Sequence, residues 1–186
     1  MMFYLALSIL IVSIAVQVFL KFKNLVGKTL AKNVFKLILL ISVILIFSFS
    51  FYNTRQLFLT WQTSPPSKYL IPPYRSIYYF LSYSFFHFYI KYLISFGISL
   101  FFLAFFKYIN KKKRYRFFEN EEPYIAGVSI FILPHPWCFI YLIAIFLIGI
   151  IGTALLKFRG SQARFPFYYF WLWPSLAILL VSKFLV

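Results

Sequence analysis

The sequence contains no aspartate, and its three glutamates, Glu119, Glu121 and Glu122, stand within four positions of one another. That absence excludes an aspartate dyad, a carboxylate-rich cation cage and a Ser-His-Asp triad. A single cysteine, Cys138, excludes an intrachain disulfide and a cysteine-based zinc site. It lies beside a long apolar run and reads as a small buried hydrophobe. The two histidines, His87 and His135, are far apart in sequence and no second ligand accompanies either at metal-binding spacing. No catalytic residue, cofactor site or metal site is expected.

Charge is also scarce: 12% of residues are charged against about 25% in a soluble domain, too few to build a water-facing surface. What fills the chain is apolar, with 63% hydrophobic residues, 27 Phe and 15 Tyr. The composition is that of an integral membrane protein. The 19 bases stand in short clusters between apolar runs, where anchoring to anionic headgroups such as cardiolipin explains them more simply than nucleic acid does. Phe, Tyr, Ile, Lys and Asn are residues of AT-rich codons, which suggests an organelle genome or an AT-rich bacterial one.

About 20 apolar residues cross about 30 Å of hydrocarbon, so the runs between charges give the spans. They are Met2–Leu20, 37–54, 76–106, 137–156 and 165–182. The first lacks the basic leader of a signal peptide and is read as a helix. Pro134-His135-Pro136 divides the fourth apolar region into a short, partly interfacial segment and a true span, and Pro174 is expected to kink the last helix. The expected fold is one all-α transmembrane domain over 1–186, a bundle of five helices, or six if the Pro-His-Pro break is re-entrant. On five spans the positive-inside rule puts the N-terminus outside and the C-terminus inside; a re-entrant turn reverses the last two segments.

Tyr79, Tyr83, His87, Lys91, Ser95 and Ser99 recur every four residues, which keeps them on one slowly drifting helical stripe. An ammonium and an imidazole at membrane depth are costly against lipid, so the stripe is expected to face protein or water. It is either a polar, proton-conducting path or a hydrogen-bonded helix interface with a partner chain, and the interface is favoured. Glu119, Glu121 and Glu122 follow the basic run 111–116. They are expected to form a solvated loop that pairs with it or docks a neighbour, with a carboxylate site at a channel mouth as the other reading. Six scattered glycines offer few close-contact positions between these bulky helices, so neighbouring chains are expected to hold the protein together.

Several segments resemble, in order, the quinone-channel membrane subunit of respiratory complex I. They are Trp61 through Ser67-Lys68-Tyr69 to Arg75 and Leu81-Ser82-Tyr83, then Glu119-x-Glu121 with Ala126-Gly127, then Arg159-Gly160-Ser161 with Arg164-Phe165. The resemblance implies a membrane subunit of a respiratory assembly in the mitochondrial inner membrane, with other membrane subunits as partners. No quinone-site residue is carried over, because Ser84 stands where that family has a glutamate. Arg164-Phe165-Pro166-Phe167, with Gly149 and Gly152 upstream, is similar to the start of the last helix of type IV prepilin peptidases. Asn53 and Glu122 stand nearest to the places of that family's two aspartates. The expected function is a non-catalytic, structural subunit bordering a proton or quinone path. The alternative is a prepilin-peptidase-like protein without its aspartates, or a small transporter.

Overall fold

The computed structural model describes residues 2–22, 28–112, 118–158 and 167–185. Among them there is no strand. The helices are α1 (Met2–Phe22), α2 (Lys28–Thr63), α3 (Pro65–Lys68), α4 (Ile77–Ser84), α5 (Ile90–Lys112), α6 (Glu122–Ile132), α7 (Trp137–Phe158) and α8 (Leu172–Leu185). A π-helical turn, Phe85–Tyr89, joins α4 to α5, so that Ile77–Lys112 is one long helix, and a 3-10 turn, Phe167–Tyr169, precedes α8. Five helices are long and apolar enough to cross a membrane. The protein is an all-α, integral membrane bundle.

The helix ends follow local chemistry. Ser76 caps α4 by accepting from the Tyr78 N–H at 3.3 Å. Pro123 sits in the first turn of α6, where a missing N–H costs nothing. Helix α8 begins only at Leu172, so Pro174 also lies in a first turn and does not kink the span as its place within 165–182 suggested. Leu133 is extended, at φ −85° and ψ 113°, as a residue before proline prefers, and α6 stops there.

Helix α6 is the hub. Every residue from Glu122 to Ile132 is buried, and α5, α2, α8, α7 and α1 all pack on it. The expected partly interfacial segment is instead the most enclosed element. In hydrocarbon no water satisfies a broken helix, so irregular backbone at that depth must be wrapped in protein. The contacts supply this. The Ser99 hydroxyl donates to the Gly127 carbonyl at 2.7 Å and Ser95 donates to Leu133 at 2.6 Å. The His135 N–H donates to the Lys91 carbonyl at 3.2 Å.

These pairs, with Asn110 against Phe118, run antiparallel along α5 from its Lys112 end to Lys91. Helix α7 then returns parallel to α5, Phe146 meeting Phe102. Helix α8 descends again, Phe167 beside Gly149 and Tyr141 donating to the Trp171 carbonyl at 2.9 Å. Helix α1 lies antiparallel to α8, with Gln17 at Tyr168 and Tyr4 at Lys183. The α6 segment thus makes a sixth passage, and the last two helices are reversed relative to the five-span reading. Both termini then lie on the face away from Lys112. Among the described residues, Lys32, Lys36, Lys107, Lys111, Lys112 and Lys157 lie toward one face and Arg55, Lys68, Arg75, Lys91 and Lys183 toward the other.

Elements approach one another at many serines as well as at Gly127 and Gly149. Ser13, Ser42, Ser50, Ser84, Ser95, Ser99, Ser129, Ser175 and Ser182 are all buried. Many return their hydroxyl to the carbonyl one turn back, as Ser13 does to Ile9 at 2.7 Å and Ser129 to Ile125 at 3.0 Å. Lipid tails are as apolar as leucine, so van der Waals contact and satisfied polar groups hold such helices together, and small residues permit both.

Candidate functional site: a buried carboxylate rim

The polar groups of the basic face converge where α6 begins. Asn110, near the end of α5, holds the entry to α6 at both backbone groups of Phe118: its Nδ2 donates to the carbonyl at 3.0 Å, and its Oδ1 accepts from the N–H at 3.2 Å. That clamp sends the chain from Phe118 back into the bundle. Glu119 remains exposed, whereas Glu121 and Glu122 are each only 6% exposed. The expectation of a solvated acidic loop is therefore corrected for two of its three members. The physical cause is the burial of α6 itself, whose first turn carries them inward.

Around them stand groups from α1, α5 and the segment before α8. Gln17 of α1 donates through Nε2 to the Tyr168 carbonyl. The Lys107 ammonium of α5 sits 4.5 Å above the Tyr124 ring. Trp171 packs between Phe106, Phe118 and Phe167, and its indole Nε1 is buried. One carboxylate oxygen of Glu122 has no hydrogen bond among the described residues. Glu122 lies at the rim where the sixth passage begins, outside the five long apolar helices, and its carboxyl is pushed up to about 8. Burial is the main cause, and the charges of Glu119 and then Glu121 push the same way. The Glu119 backbone N–H opposes them, as does a weak pull from the Trp171 indole, which itself makes no hydrogen bond of regular geometry among the described residues. Its charged form is disfavoured relative to a carboxyl in water.

The sequence stripe divides at Lys91. Ser95 and Ser99 are buried in the α5–α6 contact, as an interface requires. Tyr79, Tyr83, His87 and Lys91 are exposed. Their rings form a column on the far hairpin: Tyr83 stacks on His87 at 5.7 Å, and Trp61 of α2 lies 5.2 Å from Tyr83 and 6.5 Å from Tyr79. The stripe therefore does not line one continuous path inside this chain. It also does not meet the acidic rim, which lies at the opposite end of α5. Asn53, on α2 between Ser50 and Trp61, and Glu122 likewise lie at opposite ends of the bundle and are not brought together. Arg159 and Arg164 fall outside the described residues.

Gln17, Asn110 and the buried serines other than Ser95 and Ser99 were missed as functional positions. The signal existed, since Gln17 is the only amide within an otherwise apolar first span and Asn110 closes the third. Among the described residues no three His, Cys, Asp or Glu side chains gather as a metal site would require. No protein-family model, no curated protein and no solved structure matches this chain.

Proposed function

We propose that the protein is a non-catalytic subunit of a larger membrane assembly, with a structural role and the Glu121–Glu122 rim bordering a proton or quinone path. The observation that carries this reading is the amount of aromatic surface the chain leaves uncovered. Phe51 is 68% exposed, Phe86 65% and Phe101 63%, on faces that its own six passages do not reach. At membrane depth lipid or a neighbouring helix covers such rings. The partners proposed are other membrane subunits together with anionic phospholipid such as cardiolipin, which the bases of one face would gather.

The assembly we favour is a respiratory complex of the mitochondrial inner membrane. The residues of AT-rich codons support this, as do the ordered segments resembling the complex I membrane subunit, and the basic face would then be the matrix face. A second reading, a small transporter, draws on one observation. Helix α6 is a short, enclosed helix with buried carboxyls at its start, and transporters build their sites on interrupted helices. Sedimentation of the native protein in mild detergent separates the two: a particle of hundreds of kilodaltons supports the subunit, and a monodisperse, thermally stable monomer rejects it.

A further inference from the structure

The end of the hairpin built by α2 and α4 stands clear of the rest of the bundle. Ser50 of α2 meets the Phe88 carbonyl, and the α6–α7 turn meets α5 close by, at the Lys91 carbonyl. From Ser50 to Thr63 helix α2 continues unbroken, and thirteen residues at 1.5 Å rise about 20 Å. The headgroup layer on one face of a bilayer is about 5–8 Å thick. Measured from the Ser50 level, the tip reaches farther than that layer is thick.

This tip is folded. Trp61, Ile71 and Phe80 are buried in a small core of their own, covered by Leu57, Phe58 and Leu70. The turn over it is tied by backbone hydrogen bonds from Leu70 to Ser67 at 2.9 Å and from Tyr74 to Ile71 at 3.1 Å. Outside that core it presents rings to water: Tyr78 is 76% exposed, Tyr69 62% and Tyr74 58%. The Arg75 guanidinium lies 4.0 Å over the Tyr79 ring. Stacked so, it is held in place and keeps its in-plane donors available to a carboxylate. Arg55, Lys68 and Arg75 are the charges of this region, and no acid lies between residues 51 and 91, all three being at the opposite rim.

We propose that the tip is a docking face for an acidic protein surface: a segment of a neighbouring subunit that sets a carboxylate against Arg75 and apolar side chains against Tyr78 and Tyr74. This rests on the subunit reading and names its partner's chemistry. Rigid, exposed tyrosines with a pre-oriented arginine are what protein interfaces use as anchors. Anionic headgroups share the charge but not the reach, since Tyr78 lies ten residues, about 15 Å, beyond Phe88 along its helix.

The test places the photo-crosslinker benzoylphenylalanine at Tyr78, and separately at Phe101 at membrane depth, in native membranes, with the adducts sequenced. The expected Tyr78 adduct is a peptide with Asp or Glu within a few residues of the linked position. Arg75→Glu lowers its yield at least tenfold, Arg75→Lys retains most of it, and neither changes the Phe101 adduct, which reports that the bundle remains folded. A Tyr78 adduct with phospholipid alone, or one indifferent to Arg75→Glu, overturns the proposal. A large native particle with no protein adduct at Tyr78 overturns the docking face and leaves the subunit reading standing. A free monomer removes both.

Discussion

Replacing Glu122 by glutamine should make the protein more stable at high pH and leave it nearly unchanged at low pH. The carboxyl titrates near 4.5 when the chain is unfolded and at about 8 in the fold, because burial, Glu119 and Glu121 all disfavour its charge. A group whose folded value is raised leaves stability intact below 4.5 and erodes it as pH climbs through about 8. Between about pH 5 and pH 8 a single site of this kind costs at most about 3 kcal/mol, and water entering the rim lowers that figure. For a chain of this size 1 kcal/mol moves a melting temperature by about 2–4 °C, so the wild-type midpoint should fall by up to about 10 °C over that interval. The readout is thermal unfolding of the detergent-solubilised protein by tryptophan fluorescence, to which Trp171 beside Glu122 contributes directly. Glu122→Gln should flatten most of the dependence. Glu119→Gln, at an exposed position, should flatten less of it. A Glu122→Gln protein that keeps the full wild-type slope would refute the assignment of the raised carboxyl to this residue.

A Cβ on Gly149 would sit 2.5 Å from the Phe167 ring, which is packed against Phe118 and Trp171. Gly149→Ala should therefore cost about 1–3 kcal/mol, and Phe167→Ala in the same chain should relieve the clash; additive losses in thermal melts would contradict the packing. Ser95→Ala and Ser99→Ala each remove a hydrogen bond to α6, at 2.6 and 2.7 Å, and should each lower stability by about 1 kcal/mol, whereas Ser8→Ala, exposed on α1, should be silent. Cysteines placed at Lys111 and Lys157 should react with an impermeant maleimide from the same membrane face, and one at Ser64 from the opposite face. Labelling of Lys157→Cys and Ser64→Cys from one side would restore five passages.

The long apolar runs were legible in the sequence because lipid imposes a length on any helix that crosses it, and charge cannot be hidden there. Met2–Leu20 follows from that alone, whereas Ile77–Lys112 is longer than a bilayer requires and its first turns belong to the hairpin. The integral membrane class follows as well. Period four placed the polar stripe on one face, but the partner expected for it was another chain, whereas Ser95 and Ser99 bond to α6 and its end in the same chain. What the stripe meets was not legible, because sequence spacing says which residues share a face but not where a neighbouring helix ends. The α6–α7 turn meets α5 at Lys91, so everything before it on that face is uncovered.

The course of α6 and the burial of the glutamates were decided only by tertiary structure. Eleven residues are too few to span, and by themselves they read equally as an interfacial segment. What admits them to the bundle is a set of partners far away in sequence: Asn110, Ser99, Ser95 and the Lys91 carbonyl, each satisfying backbone that hydrocarbon would leave unpaired. Composition and run length determine that the chain must be helical and in a membrane. The number of passages, the sidedness of the last two helices and the carboxyl whose charged form is disfavoured depend on which backbone groups those side chains reach, a relation in space that no local pattern contains.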